Sequence, residues 1–283
     1  MNRLDTTFAA LRDTGQAALT PFITAGDPSP DATPALMHTL VAAGADVIEL
    51  GVPFSDPMAD GPAIQSACER ALAAGTTLAD VLEIVAKFRR DDDSTPVILM
   101  GYFNPIDAMG LAAFTERATA AGVDGVLVVD MTAEEAPDTL PLIADAGLAP
   151  ICLVAPTTSD ERIQRICNHA GGFVYYVSTK GVTGGEGIDT ARLADEITRI
   201  RPYTSLPVAV GFGVREPADA AAVANVADAV VIGSSLVRQV ATYNGSLDDT
   251  RNRLHETLAA MRQAMNSAMN SIPKTSKTTR ENA

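Results

Sequence analysis

Short apolar runs alternate with longer amphipathic segments along the chain. The runs are about five or six residues long and rich in β-branched side chains, as expected of strands that are buried on both faces. They lie at residues 19–24, 46–50, 96–100, 125–129, 149–154, 173–177, 207–211 and 229–232. The pattern therefore predicts eight strands separated by helices.

The segments between these runs are rich in alanine and carry their apolar residues on one face, as amphipathic helices do. Residues 31–43 and 77–90 show this most clearly. Several predicted helices begin with a capping residue and several end on a glycine, both of which are common at helix ends. The capping residues are Thr77, Thr132, Ser159 and Asp189, and the glycines are Gly44, Gly122 and Gly147.

Repeated strand–helix units predict an α/β fold, and eight of them suggest a (β/α)8 TIM barrel with extra helices in a single domain. An open doubly wound sheet is the structural alternative. The even spacing of the units favours the barrel, as does the lack of a G-x-G-x-x-G sequence after the first strand. We expect residues 1–268 to form the barrel catalytic domain. Residues 269–283 are polar, and we expect them to be a disordered tail.

Composition excludes several classes of function for this 283-residue chain. Its formal net charge of −14 argues against nucleic acid and anionic membranes as partners. It has no long apolar segment that would suggest a signal peptide or a membrane span. Its three cysteines are an odd number and form no C-x-x-C pair, which is typical of reduced thiols. We therefore expect a cytoplasmic protein.

The catalytic groups of a TIM barrel come from the C-terminal ends of the strands and the loops that follow. Glu49 lies inside the second apolar run, and the alternation of side chains along a strand turns it into the barrel if Ile48 and Leu50 face the helices. An unpaired, desolvated glutamate has a raised pKa, which suits a group that gives and takes protons. A structural acid that hydrogen-bonds the backbone or a tyrosine is the alternative.

Two aspartates follow Glu49 in a loop that is rich in proline. Asp56 lies in a Ser-Asp-Pro sequence, which is an ordinary turn signal. Asp60 precedes Gly61 and Pro62, where a helix could begin, so its alternative role is helix capping. Spacing alone leaves a catalytic role open for both aspartates.

Glycine-rich loops after the last strands predict an anion site. Gly213 would let backbone approach a ligand closely, and Gly233, Ser234 and Ser235 open a helix whose first N–H groups are free. Barrels often bind phosphate at these loops, although ordinary tight turns are the alternative. The loop at residues 181–187 holds four glycines and predicts a closing lid.

Other kinds of catalytic site find little support in the sequence. The three histidines fall in predicted helices without metal-ligand spacing, so we expect no metal. None of the four lysines lies in a predicted strand, which argues against a Schiff base. No dinucleotide fingerprint is present. An enzyme of this sequence would work with carboxylates, a tyrosine and backbone amides.

The chain resembles the tryptophan synthase alpha subunit family over about residues 1–268. The resemblance rests on Glu49 with LGVPFSDPMADGP at residues 50–62, on STKGVTG at 178–184, and on the GFG and GSS sequences of the last two loops. It implies cleavage of indole-3-glycerol phosphate to indole and glyceraldehyde 3-phosphate. A stand-alone indole-3-glycerol phosphate lyase is the alternative function.

The resemblance also implies roles for individual residues. Glu49, Asp60 and Tyr175 match catalytic positions, and Asp56 and Thr183 match residues that meet when two loops close. The positions that match substrate-binding residues are Phe22, Met100, Thr183, Gly184, Phe212, Gly213, Gly233 and Ser234.

Partners and cofactors follow from the same resemblance. It implies a tryptophan synthase beta subunit, in an alpha2beta2 tetramer, which would hold pyridoxal phosphate, whereas this chain would need no cofactor. Two sites depart from the family's usual pattern: Gly101 replaces a larger residue, and Met131 and Thr132 stand where Leu-Pro is common.

Overall fold

The strands close into a barrel, as predicted, and the sheet alternative is wrong. The computed structural model describes residues 2–132, 135–177, 188–211 and 213–270. Within them, eight parallel strands pair in sequence order, and β8 pairs with β1. The strands are β1 Ala18–Thr24, β2 Ile48–Gly51, β3 Val97–Gly101, β4 Gly125–Val128, β5 Ala149–Val154, β6 Val174–Val177, β7 Val208–Gly211 and β8 Ala229–Ile232.

The helices of the described residues surround the barrel or extend its loops. Before β4 they are α1 Arg3–Thr14, α2 Thr33–Ala42, α3 Pro62–Ala73, α4 Leu78–Phe88, α5 Phe103–Met109 and α6 Leu111–Ala121. After β4 they are α7 Ala136–Asp145, α8 Asp160–Cys167, α9 Thr190–Ile200, α10 Pro217–Ala224, α11 Ser234–Val240 and α12 Leu247–Asn270. None of these helices is both long and apolar enough to cross a membrane.

Most of the predicted helix ends are confirmed. Thr77, Ser159 and Asp189 are N-caps whose side chains accept a backbone N–H. Thr132 instead lies before the cap of α7, which is Glu135. The Thr132 hydroxyl donates to the Glu135 carboxylate and accepts the Glu135 backbone N–H. The three predicted glycines all have a positive φ at or just after a helix end.

The barrel separates two cores. Side chains that point outwards pack against the helices, and those that point inwards fill the barrel. The strand registers arrange the inward side chains in layers of four from alternate strands, as in other TIM barrels. From the bottom towards the mouth, three of these layers are Thr20, Ile98, Ile151 and Ala209, then Glu49, Leu127, Tyr175 and Val231, then Phe22, Met100, Leu153 and Gly211.

Helix α1 closes the bottom of the barrel. Its buried residues Leu4, Phe8 and Leu11 belong to the inner core, and the Phe8 ring lies 5.8 Å from the ring of Phe173. Asn2 caps the helix, and its side-chain amide donates to the Asp124 carbonyl over 2.7 Å. The only open end of the barrel is therefore the mouth at the C-terminal ends of the strands.

Aspartates tie neighbouring strand–helix units together below the barrel. Each of these aspartates directly precedes an even-numbered strand or lies two residues before it. Its carboxylate accepts a backbone N–H from the first or second residue of the preceding odd-numbered strand and pairs with an arginine. The three sets are Asp46 with Leu19 N and Arg262, Asp124 with Val97 N and Arg89, and Asp228 with Val208 N and Arg201.

The last helix runs two residues past the predicted domain boundary. Helix α12 ends at Asn270, and Met269 is buried against the outer core. The Met269 sulfur accepts the Ala17 N–H over 3.3 Å. The rest of the predicted tail, residues 271–283, lies outside the described residues.

Candidate active site

Glu49 points into the barrel from β2, as its place in the apolar run predicted. Its neighbours Ile48 and Leu50 belong to the outer core, and Glu49 is only 1 % exposed. Neither carboxyl oxygen makes a hydrogen bond to any described residue. The alternative of a structural acid bonded to backbone or to a tyrosine therefore finds no support within the described part of the chain.

The surroundings of Glu49 favour its protonated form. Burial raises the pKa of Glu49 to about 8, and the negative charge of Asp60 acts in the same direction. Side chains from the neighbouring strands, Phe22 and Ile98, are apolar and offer no compensating charge. Near neutral pH the carboxyl group is therefore largely protonated, but a modest change in its surroundings can ionise it.

Asp60 is held beside the mouth by Tyr102. The Tyr102 hydroxyl donates to the Asp60 carboxylate over 3.0 Å and accepts the Ala59 N–H over 2.9 Å. The Tyr102 ring stacks on Phe54, with 5.1 Å between ring centroids. Burial raises the pKa of Asp60, whereas the Tyr102 hydrogen bond lowers it. Tyr102 thus fixes the loop and stabilises the charged form of Asp60.

The ordinary structural role proposed as an alternative does not apply to Asp60. Gly61 is the N-cap of α3, Pro62 is its first residue, and no side chain caps this helix. Asp56, in contrast, is exposed and accepts the hydroxyl of its neighbour Ser55 over 2.6 Å. Of the two aspartates, only Asp60 is partly buried and bonded to Tyr102.

Tyr175 occupies the layer of Glu49 and is 8 % exposed. Burial raises its pKa well above the ordinary value, and the charges of Glu49 and Asp60 add to the effect. Its hydroxyl lies against Gly211, where an added Cβ would come within 2.2 Å of the oxygen. Gly211 therefore makes room for the tyrosine, which remains a neutral hydroxyl at working pH.

A narrow pocket runs into the mouth beside these groups. Its lining combines the Asp60 carboxylate with apolar walls: Phe22, Gly51, Val52, Ile64, Cys68, Met100, Gly101, Tyr102 and Val129. Phe22 lies over Gly51, where an added Cβ would meet the ring at 2.6 Å. The pocket has a volume of about 10 Å³, so its walls must move apart before a flat apolar ring with one polar N–H can enter.

A larger cavity of about 400 Å³ lies between the loops after β4 and β5. It shares the wall residue Val129 with the narrow pocket, but neither Glu49 nor Asp60 lines it. Asp60 lines the narrow pocket, and Glu49 lies one layer below its wall residues Phe22 and Met100. We therefore place the active site at the narrow pocket despite its smaller volume.

Of the two glycines predicted to form the anion site, Gly213 and Gly233, only one has a backbone conformation that favours glycine. Gly213 has a φ of +88°, so a side chain there would be strained. Gly233 is the N-cap of α11 with a negative φ, and an added Cβ would meet Phe22 only at an ordinary 3.7 Å. The backbone therefore demands glycine only at 213. Ser234 begins α11, and the buried Ser235 hydroxyl has no hydrogen-bond partner among the described residues.

Three of the predicted substrate-binding residues, Thr183, Gly184 and Phe212, lie outside the described residues. The predicted lid at residues 181–187 and Lys180 lie outside them as well. Within the described part of the chain, no cluster of histidine, cysteine, aspartate or glutamate could hold a metal ion.

The two departures from the family pattern have structural correlates. Gly101 lies on the pocket wall, and an added Cβ would come within 3.0 Å of the Val52 Cβ, so glycine lets these two strands' ends pack closely. Thr132 donates its hydroxyl to the Glu135 carboxylate over 2.9 Å and thereby organises the turn before α7. Neither change touches Glu49 or Asp60.

Some residues of the site were not predicted. Tyr102 carries the Asp60 hydrogen bond, and Ile64, Cys68 and Val129 complete the pocket. Val129 could have been found from the alternation along β4, because it follows the inward-facing Leu127 by two residues. Ile64 and Cys68 are four residues apart on α3 and so share a face of that helix.

The closed barrel, with its two carboxyl groups at the C-terminal ends of the strands, has the architecture of a (β/α)8-barrel enzyme. A sequence profile described as "Tryptophan synthase alpha chain" matches residues 8–270. The chain belongs to the tryptophan synthase alpha chain family.

Individual relatives agree with this assignment. The chain is 54% identical over 267 residues to the tryptophan synthase alpha chain of Marinobacter nauticus, with 94% of this chain and 99% of that one covered. It is 56% identical over 265 residues to that of Laribacter hongkongensis, at 94% and 99% coverage. The crystal structure of tryptophan synthase subunit alpha from Legionella pneumophila str. Paris is 43% identical, with a TM-score of 0.88 over 94% of this chain and 99% of that one.

Proposed function

We propose that this chain is the alpha subunit of a tryptophan synthase and a carbon–carbon lyase. It cleaves indole-3-glycerol phosphate to indole and glyceraldehyde 3-phosphate. The observation that carries the proposal is Glu49, a buried carboxyl group without a hydrogen-bond partner among the described residues. It lies one layer below the walls of a narrow apolar pocket that also holds the Asp60 carboxylate. Membership of the tryptophan synthase alpha chain family supplies the substrate.

The substrate's indole ring would lie in the narrow pocket. Phe22 and Met100 provide apolar walls, and Asp60 is the polar group at which the ring N–H can be bound. A charged carboxylate in an otherwise mostly apolar pocket favours a ring that carries a donor. The ring's C3 atom would then face Glu49, which lies one layer deeper in the barrel.

Glu49 would carry both proton transfers. Its protonated carboxyl group donates to C3, which makes the ring an indoleninium cation. The resulting carboxylate then accepts the proton of the glycerol hydroxyl next to C3. The carbon–carbon bond breaks, the hydroxyl carbon becomes the aldehyde, and the bonding electrons return to the ring, which leaves neutral indole. Glu49 ends the cycle protonated, as it began. A pKa near 8 suits a group that must both give and take a proton near neutral pH.

Asp60 and Tyr175 would support the intermediate from two sides. Asp60, kept charged by the Tyr102 hydrogen bond, accepts the ring N–H and stabilises the positive charge that develops there. Tyr175 has too high a pKa to serve as a base, so its role is to donate a hydrogen bond from its neutral hydroxyl. Neither acid is paired with a cation among the described residues, which suits a cationic intermediate.

The phosphate would bind at the loops after β6, β7 and β8. Gly184, Gly213, Gly233 and Ser234 are the proposed contacts, and Thr183 and Phe212 complete the substrate-binding set. The left-handed backbone at Gly213 and the free N–H groups at the start of α11 support backbone amides as the ligands of the phosphate. We expect Thr183 to meet Asp56 when the loops close.

The remaining parts of the proposal concern the assembly. We place the chain in the cytoplasm, in an alpha2beta2 tetramer with a tryptophan synthase beta subunit that receives the indole for L-tryptophan synthesis. The pyridoxal phosphate would belong to the beta subunit, and this chain would use no cofactor of its own. The stacking of Phe54 on Tyr102 supports a route by which a partner at the barrel mouth would act on Asp60.

A steady-state assay tests this function. The purified chain is mixed with indole-3-glycerol phosphate, with and without its cognate beta chain, and both products are measured. We expect equal amounts of indole and glyceraldehyde 3-phosphate, and at least about tenfold faster cleavage with the beta chain if the active conformation of the free chain is populated to about one tenth or less. Fast turnover without any response to the beta chain would favour the stand-alone lyase, and no cleavage in either case would refute the proposal.

A further inference from the structure

Thr20 is a polar residue in an otherwise apolar part of the barrel. It lies on β1, points inwards between Ala18 and Phe22, and is completely buried. Its layer otherwise contains Ile98, Ile151 and Ala209. The Thr20 hydroxyl makes no hydrogen bond to any described residue. A buried hydroxyl without a partner costs free energy, so a functional partner for Thr20 has to be sought among its neighbours.

Glu49 is the only acid in the layer directly above Thr20. The register pairs Phe22 with Glu49, so Thr20 and Glu49 are diagonal neighbours on adjacent strands, roughly 7–8 Å apart at Cα. Both side chains point into the barrel, and both are unpaired within the described residues. Thr24 faces inwards on the same strand, but it lies beyond Phe22 and nearer the mouth. The layer of Thr20 is therefore adjacent to that of Glu49, whereas the layer of Phe22 separates Thr24 from it.

We propose that Thr20 is a positioning residue, whose hydroxyl donates a hydrogen bond, through one buried water molecule, to the Glu49 carboxylate from the floor of the barrel. No direct hydrogen bond joins the two side chains within the described residues, so the proposed contact needs a bridging molecule. That water would find at least three polar atoms, the Thr20 hydroxyl oxygen and the two Glu49 oxygens, which is enough to hold it.

Such a bond has a clear use in the proposed reaction, on which this inference rests. Glu49 is charged only between its two proton transfers, when the substrate occupies the mouth side. A hydrogen-bond donor below Glu49, on the side away from the mouth, can then stabilise the carboxylate without occupying the substrate-binding pocket. The titratable groups that face Glu49 from other elements are Asp60 after β2 and Tyr175 on β6, whereas Phe22 and Ile98 of the adjacent strands do not titrate.

The Thr20→Val variant tests the inference, because valine has nearly the same shape and lacks only the hydroxyl. The Glu49 carboxyl carbon is titrated by 13C NMR in the full chain without substrate, with Glu49→Gln used to assign the signal. We expect the midpoint to move upwards by about half a pH unit or more in Thr20→Val, because the charged form loses a donor. Thr20→Ser, which keeps the hydroxyl, should titrate as the wild type does.

Thr24→Val is the matched control, since it removes an equally buried hydroxyl from the same face of the same strand. It should leave the Glu49 midpoint in place. An unchanged midpoint in Thr20→Val, or an equal change in Thr24→Val, would overturn the inference. If Thr20→Val does not fold, Thr20→Ala and Thr20→Ser give the same comparison.

The titration needs no turnover, so it separates this inference from the proposed function. A chain that failed to cleave indole-3-glycerol phosphate but showed the Thr20-dependent midpoint would refute only the function. If cleavage is confirmed, the apparent pKa of Glu49 in the pH profile of kcat should also be higher in Thr20→Val than in the wild type. In Thr20→Ser it should equal the wild-type value.

Discussion

Glu49 shows how one residue can be costly for folding and useful for chemistry. The ionised carboxylate is disfavoured in the barrel because it is buried, unpaired within the described residues and close to Asp60. Its pKa of about 8 in the folded chain compares with 4.5 for an ordinary glutamate. The same environment that penalises the charge keeps a proton available beside the pocket.

This pKa difference predicts a pH-dependent stability. Between pH 4.5 and about 8, folded Glu49 retains a proton that the unfolded chain has released. The free energy of unfolding should therefore fall as the pH rises through this window, by on the order of a few kcal/mol from Glu49 alone. Glu49→Gln should lack this component. Urea unfolding of both proteins at pH 5 and pH 8 measures it, and parallel pH dependences would contradict the prediction.

Tyr102 gives a second prediction at the residue scale. Tyr102→Phe keeps the ring that stacks on Phe54 but removes the hydroxyl that binds Asp60 and Ala59. We expect the pKa of Asp60 to rise and kcat to fall roughly tenfold, as for the loss of one hydrogen bond to a charged group. Steady-state cleavage assays check this, with the exposed Tyr243→Phe as the control. Equal kcat values for Tyr102→Phe and the wild type would refute the role of Tyr102.

The sequence predicted the direction of some side chains but not the contacts between distant residues. The inward direction of Glu49 followed from the alternation of a strand, which is a local property. The Tyr102–Asp60 hydrogen bond joins residues 42 positions apart, and it forms because β2 and β3 are neighbours in the barrel. No local pattern encodes such a contact. It required the order of the strands and the loop conformation after β2.

The strands and helices are held in register by the aspartates below the barrel. Asp124 is 3 % exposed and accepts hydrogen bonds from Arg89, Arg3 and the Val97 N–H. These bonds link β3, β4 and α1 at one point. Without the Asp124 carboxylate, the mostly buried Arg89 guanidinium group and the buried Val97 N–H would both lose their partner.

Asp124→Ala should therefore destabilise the fold by about 3 kcal/mol or more, the cost of breaking a buried ion pair from one side. The exposed Asp91→Ala is the matched control and should change stability by less than about 0.5 kcal/mol. Chemical denaturation of the three proteins at pH 7 measures the difference. A loss for Asp124→Ala no larger than that of the control would contradict the role of Asp124.

Strands were easier to predict than the other elements. Each predicted strand overlaps an observed one. A short continuous run of β-branched residues is typical of a parallel strand that is buried on both faces. Helix α1 was not predicted, although Leu4, Phe8 and Leu11 follow helical spacing. Its place under the barrel depends on the closed bottom of the sheet, which only the tertiary structure provides.

In the whole molecule, the barrel is closed at the N-terminal ends of its strands and holds the candidate active site at their C-terminal ends. Helix α1 fills the base. The pocket residues come from β1, β2, β3, α3, the loops after β2 and β3, and the end of β4. The barrel itself was predicted from the count and spacing of strand–helix units. The narrowness of the pocket was not, because it depends on contacts such as Phe22 over Gly51.

Glu49→Gln tests the central claim most directly, because glutamine keeps the shape of the side chain and removes its proton chemistry. The measurement is the steady-state rate of indole-3-glycerol phosphate cleavage by the variant and the wild type, each saturated with the cognate beta chain. We predict a loss of at least about 100-fold in kcat, as for a general acid–base residue, with substrate affinity preserved. A near-normal kcat in Glu49→Gln would contradict the account.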